Sequence, residues 1–407
     1  MKKILLMCVS LLFSIAGFSE NIQFVDQTAK NICVQKWDAN GDGELSLEEA
    51  AAVTDIGSVF TAQKDLRSFS EFQYFTGVTA IPAYAFQGCY YLSSIIVPEN
   101  VSTISDRAFE WCERLVSINI PAKVTSLGNR LFNGCYSIAF ITSGMENPTA
   151  SDDTFLGLSA SSVKLFVPVG SKSKYKNAYG WSSFISINII EGNPTVTKSG
   201  DLYYLYETTA KTVSVIGGNY SSMNSITIPE SITIDNEQYA VTTIGRGAFY
   251  GCYDTEVISI PNCVTTIEEY AFYNAGIKSL TLPSSLKTIA NLSFTYCYNL
   301  TNVSIPEGVL SIGYQAFANC DKLQKLELPA SLTGIANEVV DRSYSLVAVI
   351  SHSDNPCSIG ESAFGHYVWD DNSQTGSYEP SSAALYIPSG SKDKYEAIKG
   401  WTMFKSI

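Results

Sequence analysis

The sequence predicts an α/β repeat solenoid in two arrays, preceded by a small helical module. Three observations predict it. Cys89, Cys112 and Cys135 are separated by 23 positions each, and Cys297 and Cys320 repeat the step. Phe86, Phe109, Phe132 and Phe155 keep the same interval, and Phe249, Phe272, Phe294, Phe317 and Phe364 resume it with slips, Val340 filling one slot. Each unit also carries a short alternating segment closed by proline, as in Ile95-Ile-Val97-Pro98. Self-similarity at such a period is the mark of stacked units rather than of separate globules.

Taken in order along the chain, residues 1–19 read as a signal peptide. Lys2 and Lys3 form its charged start, Ile4 to Ile15 its apolar stretch, and Gly17-Phe18-Ser19 its small-x-small cleavage site. No later stretch reaches the ~18 apolar residues of a membrane span. An exported protein follows, at the cell surface, in the periplasm or secreted.

Residues 20–62 read as a helix-loop-helix module. Asp38-Ala-Asn40-Gly-Asp42-Gly43-Glu44-Leu-Ser46-Leu-Glu-Glu49 fits the twelve-residue EF-hand loop. Calcium is a hard cation that takes oxygen ligands, which Asp38, Asn40, Asp42 and Glu49 supply from side chains and Glu44 from its carbonyl. Gly43 permits the sharp turn, and Ser46 is placed to act through water. Apolar stripes flank the loop, Ala29, Ile32, Cys33 and Trp37 before it and Leu47, Ala50, Ala51 and Val53 after it. A structural Ca2+ that stiffens a module covering the first coil is the expected cofactor.

The first array spans 63–190. In Ser94-Ile95-Ile96-Val97 the alternation is that of a strand with one buried face, and Pro98 ends it because proline lacks a ladder donor. A unit of this length cannot bury its own Leu, Ile, Val and Phe, so neighbours must stack into one core. Phe is expected inside, on a short turn or helix-like segment opposite the strand. Cysteine is expected as a small buried, reduced side chain, since Ala275 fills the same slot and nine cysteines after loss of Cys8 cannot all pair. The array ends in VPVGSKSKYKNAYGWSSF from Val167, matched by IPSGSKDKYEAIKGWTMF from Ile387 at the end of the second array. Solenoid ends need lids, and Lys-Tyr followed by Gly-Trp suits a short amphipathic helix that covers an apolar end. Between them, 191–240 alternates around Leu202–Leu205 and Val213–Val215 and reads as a β-rich starting cap for the second array at 241–407.

The unit Leu-x-x-Ile-x-Ile-Pro-x-x-Val-x-x-Ile-x-x-x-Ala-Phe-x-x-Cys, with the two lids, resembles the BspA-like (Treponema-type) leucine-rich repeat over about residues 66 to 407. The resemblance implies a leucine-rich-repeat right-handed arc of short parallel strands, surface or periplasmic placement, adhesion in some members and no catalytic motif.

Composition excludes several functions. With 39 acidic against 26 basic residues the net charge is -13, which repels nucleic acid and anionic membranes. The two histidines, His352 and His366, lack the neighbours a zinc site requires. Neither a Gly-x-Ser-x-Gly elbow nor a phosphate-binding glycine loop is present. The reading is therefore a non-enzymatic binding or adhesion protein for an extracellular protein or glycan, with an envelope scaffold as the alternative and an unrecognised carbohydrate-active enzyme as a minor one. The expected ligand-binding column follows the Cys slot: Tyr90, Tyr136, Tyr253 and Tyr298. Tyrosine offers rigid apolar area and a hydroxyl, although the same rings could simply shield the turns. A second, polar row is expected outward on the strands at Asn119, Thr227, Ser259, Thr281, Ser304 and Glu327.

Overall fold

Ile95 and Ile104 lie on one coil and face inward, yet they belong to two different sheets. In this computed structural model, which describes residues 20–184, 188–207, 210–371 and 374–407, the first three coils of the first array each carry two short strands that pair in different parallel sheets. Ser94–Ile95 pairs with Ser68–Phe69, whereas Thr103–Ile104 pairs with Ala80–Ile81 on one side and Ser126–Leu127 on the other. Partners are offset by one repeat, so each residue meets its equivalent in the next coil and the inward set stays inward. The signal peptide expected at 1–19 lies outside the described residues.

The second array begins in the connector. Val196–Ser199, Leu202–Glu207 and Thr212–Ile216 form antiparallel hairpins, and Thr212–Ile216 then pairs in parallel with Glu237–Ile244. From there the sheet runs parallel through Thr266–Ile267, Thr288–Ile289, Ser311–Ile312, Gly334–Ile335 and Ser358–Ile359. The irregular unit near the end inserts an antiparallel hairpin, His366–Asp370 with Thr375–Glu379.

The expected α/β character is corrected to a mainly β solenoid with little helix. Among the described residues α-helix is confined to α1 (Gln27–Trp37), α2 (Leu47–Ala52), α3 (Lys172–Asn177) and α4 (Lys392–Glu396). The turns around Phe cannot continue as helices because left-handed residues recur in them. Arg107 and Trp111 have φ of +54° and +61°, and the next coil repeats the pair at Arg130 and Gly134. A left-handed residue ends a right-handed helix.

Phenylalanine forms the axis of both cores. Phe86 stacks on Phe109 at 5.3 Å, Phe109 on Phe132 at 6.0 Å and Phe132 on Phe155 at 6.1 Å, and in the second array Phe272, Phe294 and Phe317 follow at 4.9 and 5.2 Å. Each such fully buried ring stabilises the stack by roughly 1.5–3 kcal/mol. Phe60, whose spacing departs from the period, also joins the column, stacking on Phe86 at 5.2 Å. Val340 fills its slot fully buried.

The lids form as their sequence predicts. Tyr175 on α3 and Trp181 after it are fully buried and meet edge to face at 5.0 Å, and Tyr395 and Trp401 do the same at 5.0 Å. The Tyr175 hydroxyl donates to Ser143 Oγ at 2.7 Å, and Tyr395 donates to Ser351 Oγ at 2.6 Å.

Candidate functional site

The N-terminal module is built on the first coil. Its Ala29, Cys33, Leu45, Ala50, Val53, Ile56 and Phe60 belong to the same apolar core as Leu66, Phe69 and Phe86. Asp26 fixes the junction. One carboxylate oxygen caps α1 by accepting from the Thr28 amide at 2.7 Å, and the other accepts from the Arg67 and Ser68 amides at 2.6 and 3.0 Å. Those amides lie on the free edge of Ser68–Phe69, so a single side chain starts a helix and seals a sheet edge.

Between α1 and α2, residues 38–46 turn through Gly41 and Gly43 at φ of +75° and +82°, where a side chain would strain the backbone. The loop oxygens are held by loop amides. Asp38 accepts from Gly41 at 2.7 Å and Gly43 at 2.9 Å, Asn40 from Asp42 at 2.8 Å, and Asp42 from Glu44 at 2.9 Å. Glu49 accepts from Ala39 at 2.9 Å and also completes a capping box with Ser46, whose hydroxyl receives the Glu49 amide. The Ser46 amide beside it, with further donors, pulls the Glu49 carboxyl below the usual range and keeps it ionised. Glu44 is paired with Lys30 at 2.6 Å. Among the described residues no three His, Cys, Asp or Glu side chains gather closely enough to hold a metal. The donor types at Asp38, Asn40, Asp42, Glu44 and Glu49 are all hard oxygens, the chemistry calcium requires.

The tyrosine column divides. Tyr90, Tyr253 and Tyr298 are exposed. Tyr136 is not an open binding ring: it is wedged against the second array, stacking on Tyr250, Tyr270 and Tyr273 at 5.9, 5.0 and 6.1 Å. Burial there pushes its hydroxyl up to about 12. Arg114 lies between Tyr91 and Tyr253 at 4.8 and 5.6 Å and donates to the Gly251 carbonyl, so Tyr253 borders the same seam. The polar strand row is also partly committed. Asn119 accepts from the Val97 amide at 2.8 Å and donates to the Val97 carbonyl at 3.0 Å, standing in for a strand, and Ser304 donates to Glu327 at 3.0 Å.

The seam between the arrays was not visible in the repeat pattern of either one. Val116, Ala139, Phe140 and Phe166 of the first array meet Leu205 and Ile216 of the connector in a separate apolar cluster. Polar contacts flank it: Tyr250 donates to Glu113 at 3.0 Å, and Arg246, almost wholly buried, reaches Glu269 at 2.5 Å and Ser162 at 2.7 Å. A signal for it does exist. Tyr250 and Tyr273 follow the Phe slot directly, where the first array has Gln87, Glu110 and Asn133.

Stacked coils, paired parallel sheets and a buried Phe axis define a leucine-rich-repeat solenoid. The chain belongs to the BspA type leucine rich repeat family, whose pattern matches residues 58–199 and 218–347 in six copies. No curated protein gives a significant match. Among solved structures, a leucine rich cell surface protein from Faecalibacterium prausnitzii is 21% identical with a TM-score of 0.39, over 70% of this chain and 62% of that one. The pneumococcal vaccine antigen PcpA is 17% identical with a TM-score of 0.44, over 81% and 76%. The T. pallidum leucine rich repeat protein is 22% identical with a TM-score of 0.35, over 41% and 86%. The chain thus spans less than two thirds of the Faecalibacterium protein's length. Among the described residues no helix is long and apolar enough to cross a membrane.

Proposed function

We propose that this protein is an exported, non-enzymatic binding or adhesion module that presents an extended surface to an extracellular protein or glycan. Membership of the BspA type family carries the reading. The fold supports it physically: a stacked core consumes the Leu, Ile, Val and Phe of each coil and leaves long outer faces on a rigid support. Exposed rings at Tyr90, Tyr253 and Tyr298 furnish contact area on those faces.

Calcium belongs to the same proposal as a structural ion. Asp38, Asn40, Asp42 and Glu49 would hold it with the Glu44 carbonyl, and its charge would tie the start of α2 to the end of α1. Because the module covers the edge of the first coil, stiffening it protects the open end of the array.

The test is capture of purified host matrix glycoproteins on a surface, compared with capture of components of the bacterium's own envelope. Saturable binding to a host glycoprotein, weakened by joint replacement of Tyr90 and Tyr298 with alanine, is the expected result. Binding to envelope components alone would replace adhesion with a scaffolding role.

A further inference from the structure

The two arrays do not touch along their full length. Where Leu205 and Ile216 rest on Phe140 and Phe166 the contact is apolar and closed. Toward the first coils the arrays diverge and leave a cleft of about 730 Å3. That volume lies within the roughly 300–1,000 Å3 of small-molecule sites. One wall is the strand face of the first array, with Ser68, Ser94 and Ser117; Ser68 is in register with Ser94, and Ser117 with Phe140, which closes the inner end. The opposite wall is the connector hairpin, with Lys198, Asp201 and Tyr203.

The lining specifies the ligand chemistry in three steps. Hydroxyls on neighbouring parallel strands recur about every 4.8 Å and can each donate and accept, which matches a ligand carrying hydroxyls along its length. Tyr203 is 38% exposed and supplies an apolar ring face beside them. In a chain of net charge -13, the cleft gathers two cations, Arg67 and Lys198, against one carboxylate, Asp201. Lys198 rests over Tyr203 of the lining at 5.6 Å, a contact that positions positive charge without cancelling it, and the Arg67 guanidinium lies over Tyr91, outside the lining, at 5.3 Å, a ring it shares with Arg114.

A peptide strand fits this first wall poorly. Strand addition needs open backbone groups at a sheet edge, and here the Arg67 and Ser68 amides are already taken by Asp26. The wall offers side-chain hydroxyls, not a backbone ladder. We propose that the cleft binds a short oligosaccharide carrying a carboxylate, of the uronic or sialic acid class. This inference rests on the binding-module reading and gives it a ligand class and a place.

Titration calorimetry on the full chain tests it with trigalacturonate and sialyllactose as acidic probes, lactose as the neutral probe and a hexaglutamate peptide as the acidic non-sugar. The variants are Tyr203→Ala and the pair Arg67→Gln with Lys198→Gln, each checked for an unchanged melting temperature; Tyr344→Ala, outside the cleft, is the control. At least one acidic saccharide is expected to bind about tenfold or more tighter than lactose, and each cleft variant to lose about tenfold or more while the control keeps full affinity, as for residues central to a site. Acidic saccharides binding no better than lactose, or unaffected by the cleft variants, would overturn the proposal; equal binding of hexaglutamate would overturn it in favour of a peptide site. If host glycoprotein capture persists while no acidic saccharide binds, the cleft assignment falls and the adhesion reading stands. If acidic saccharides bind in the cleft and no host glycoprotein is captured, the reverse holds.

Discussion

Tyr136 and Tyr270, 134 positions apart in the chain, stack with ring centroids 5.0 Å apart and interplanar angle 26°. Each belongs to a different array, and around them Tyr250 and Tyr273 stack on each other at 5.1 Å. The contact bridges the two arrays. Aromatic pairs of this kind contribute about 0.5–1.5 kcal/mol each beyond their burial, so Tyr136→Ala removes three across the seam at once, together with the edge contact to Trp111 in its own array. The expected outcome is that the arrays uncouple: scattering in solution gives a larger radius of gyration, and a single melting transition splits in two. Unchanged scattering would show that Arg114, Arg246 and the Phe140 cluster hold the seam without the tyrosines.

Glu49 carries two duties. In the structure one carboxylate oxygen accepts from the Ala39 and Asn40 amides and the other from Ser46, and as the proposed calcium ligand it would supply both oxygens to the ion. Melting with millimolar calcium and with chelator is therefore expected to show a calcium-dependent rise in the wild type. Asp38→Ala and Glu49→Gln lose the rise, and Glu49→Gln also lowers the chelated melting temperature, because its NH2 group faces the Ala39 or the Ser46 amide. No effect of calcium on the wild type would remove the ion from the proposed function.

The cysteine slot was legible as a packing position, and the structure adds a hydrogen bond. The Cys112 thiol donates to the Phe86 carbonyl of the preceding coil at 3.2 Å, Cys135 to Phe109 at 3.0 Å and Cys320 to Phe294 at 3.3 Å. Burial pushes these thiols up, Cys320 to about 12, so they keep the proton they donate. Where the slot holds serine, Ser343 donates to the Phe317 carbonyl at 2.8 Å. Cys112→Ser is accordingly expected to fold with nearly the wild-type stability. Cys112→Ala removes one of the two donors to the Phe86 carbonyl, the Cys89 amide at 3.2 Å remaining, and costs about 0.5–1.5 kcal/mol in denaturant unfolding. Equal stability of the alanine variant would reduce the slot to volume alone.

Acid is expected to release the His366–Glu379 hairpin. His366 Nδ1 accepts from the Arg342 amide at 3.1 Å, and burial holds the ring below the ordinary histidine value of 6.5 despite nearby Asp341. The released state therefore takes up the proton first, and docking weakens as pH falls below 6.5 until the folded value is passed. Glu338 adds a second step. Burial raises its carboxyl, but bonds from Tyr378, Tyr314 and Gln315 outweigh this and leave it lowered, so its contribution is full above 4.5 and is lost below that. Hydrogen exchange in the hairpin, corrected for intrinsic rates, should accelerate in these two windows. In His366→Asn, which has no group titrating there, the upper step disappears.

The stacking, the Phe axis and the lids could be read from period and spacing because each depends on contacts between equivalent positions of successive units. Phe86, Phe109 and Phe132 meet through a repeated offset. The second strand of each coil was missed because Thr103-Ile104 is too short to show a period of its own. Tyr136 was misplaced for a different reason: whether its ring meets solvent depends on Tyr250 and Tyr270, and no periodicity within one array encodes the face of another. In the loop at 38–49 the oxygen donors proposed for calcium are visible in sequence, whereas the use of Glu49 in the capping box appears only with the helix in place.

The paired plugs, Tyr175 with Trp181 and Tyr395 with Trp401, have a consequence for how such a chain can change size. A whole turn inserted upstream of either plug would recreate every contact it interrupts, so each stack can grow in steps of one unit without a new terminus. The joint between the stacks resists this, because Arg114, Tyr136 and Phe140 must face fixed partners. Growth ahead of that joint would shift its phase, while growth beyond Phe317 would lengthen the molecule and leave its elbow untouched.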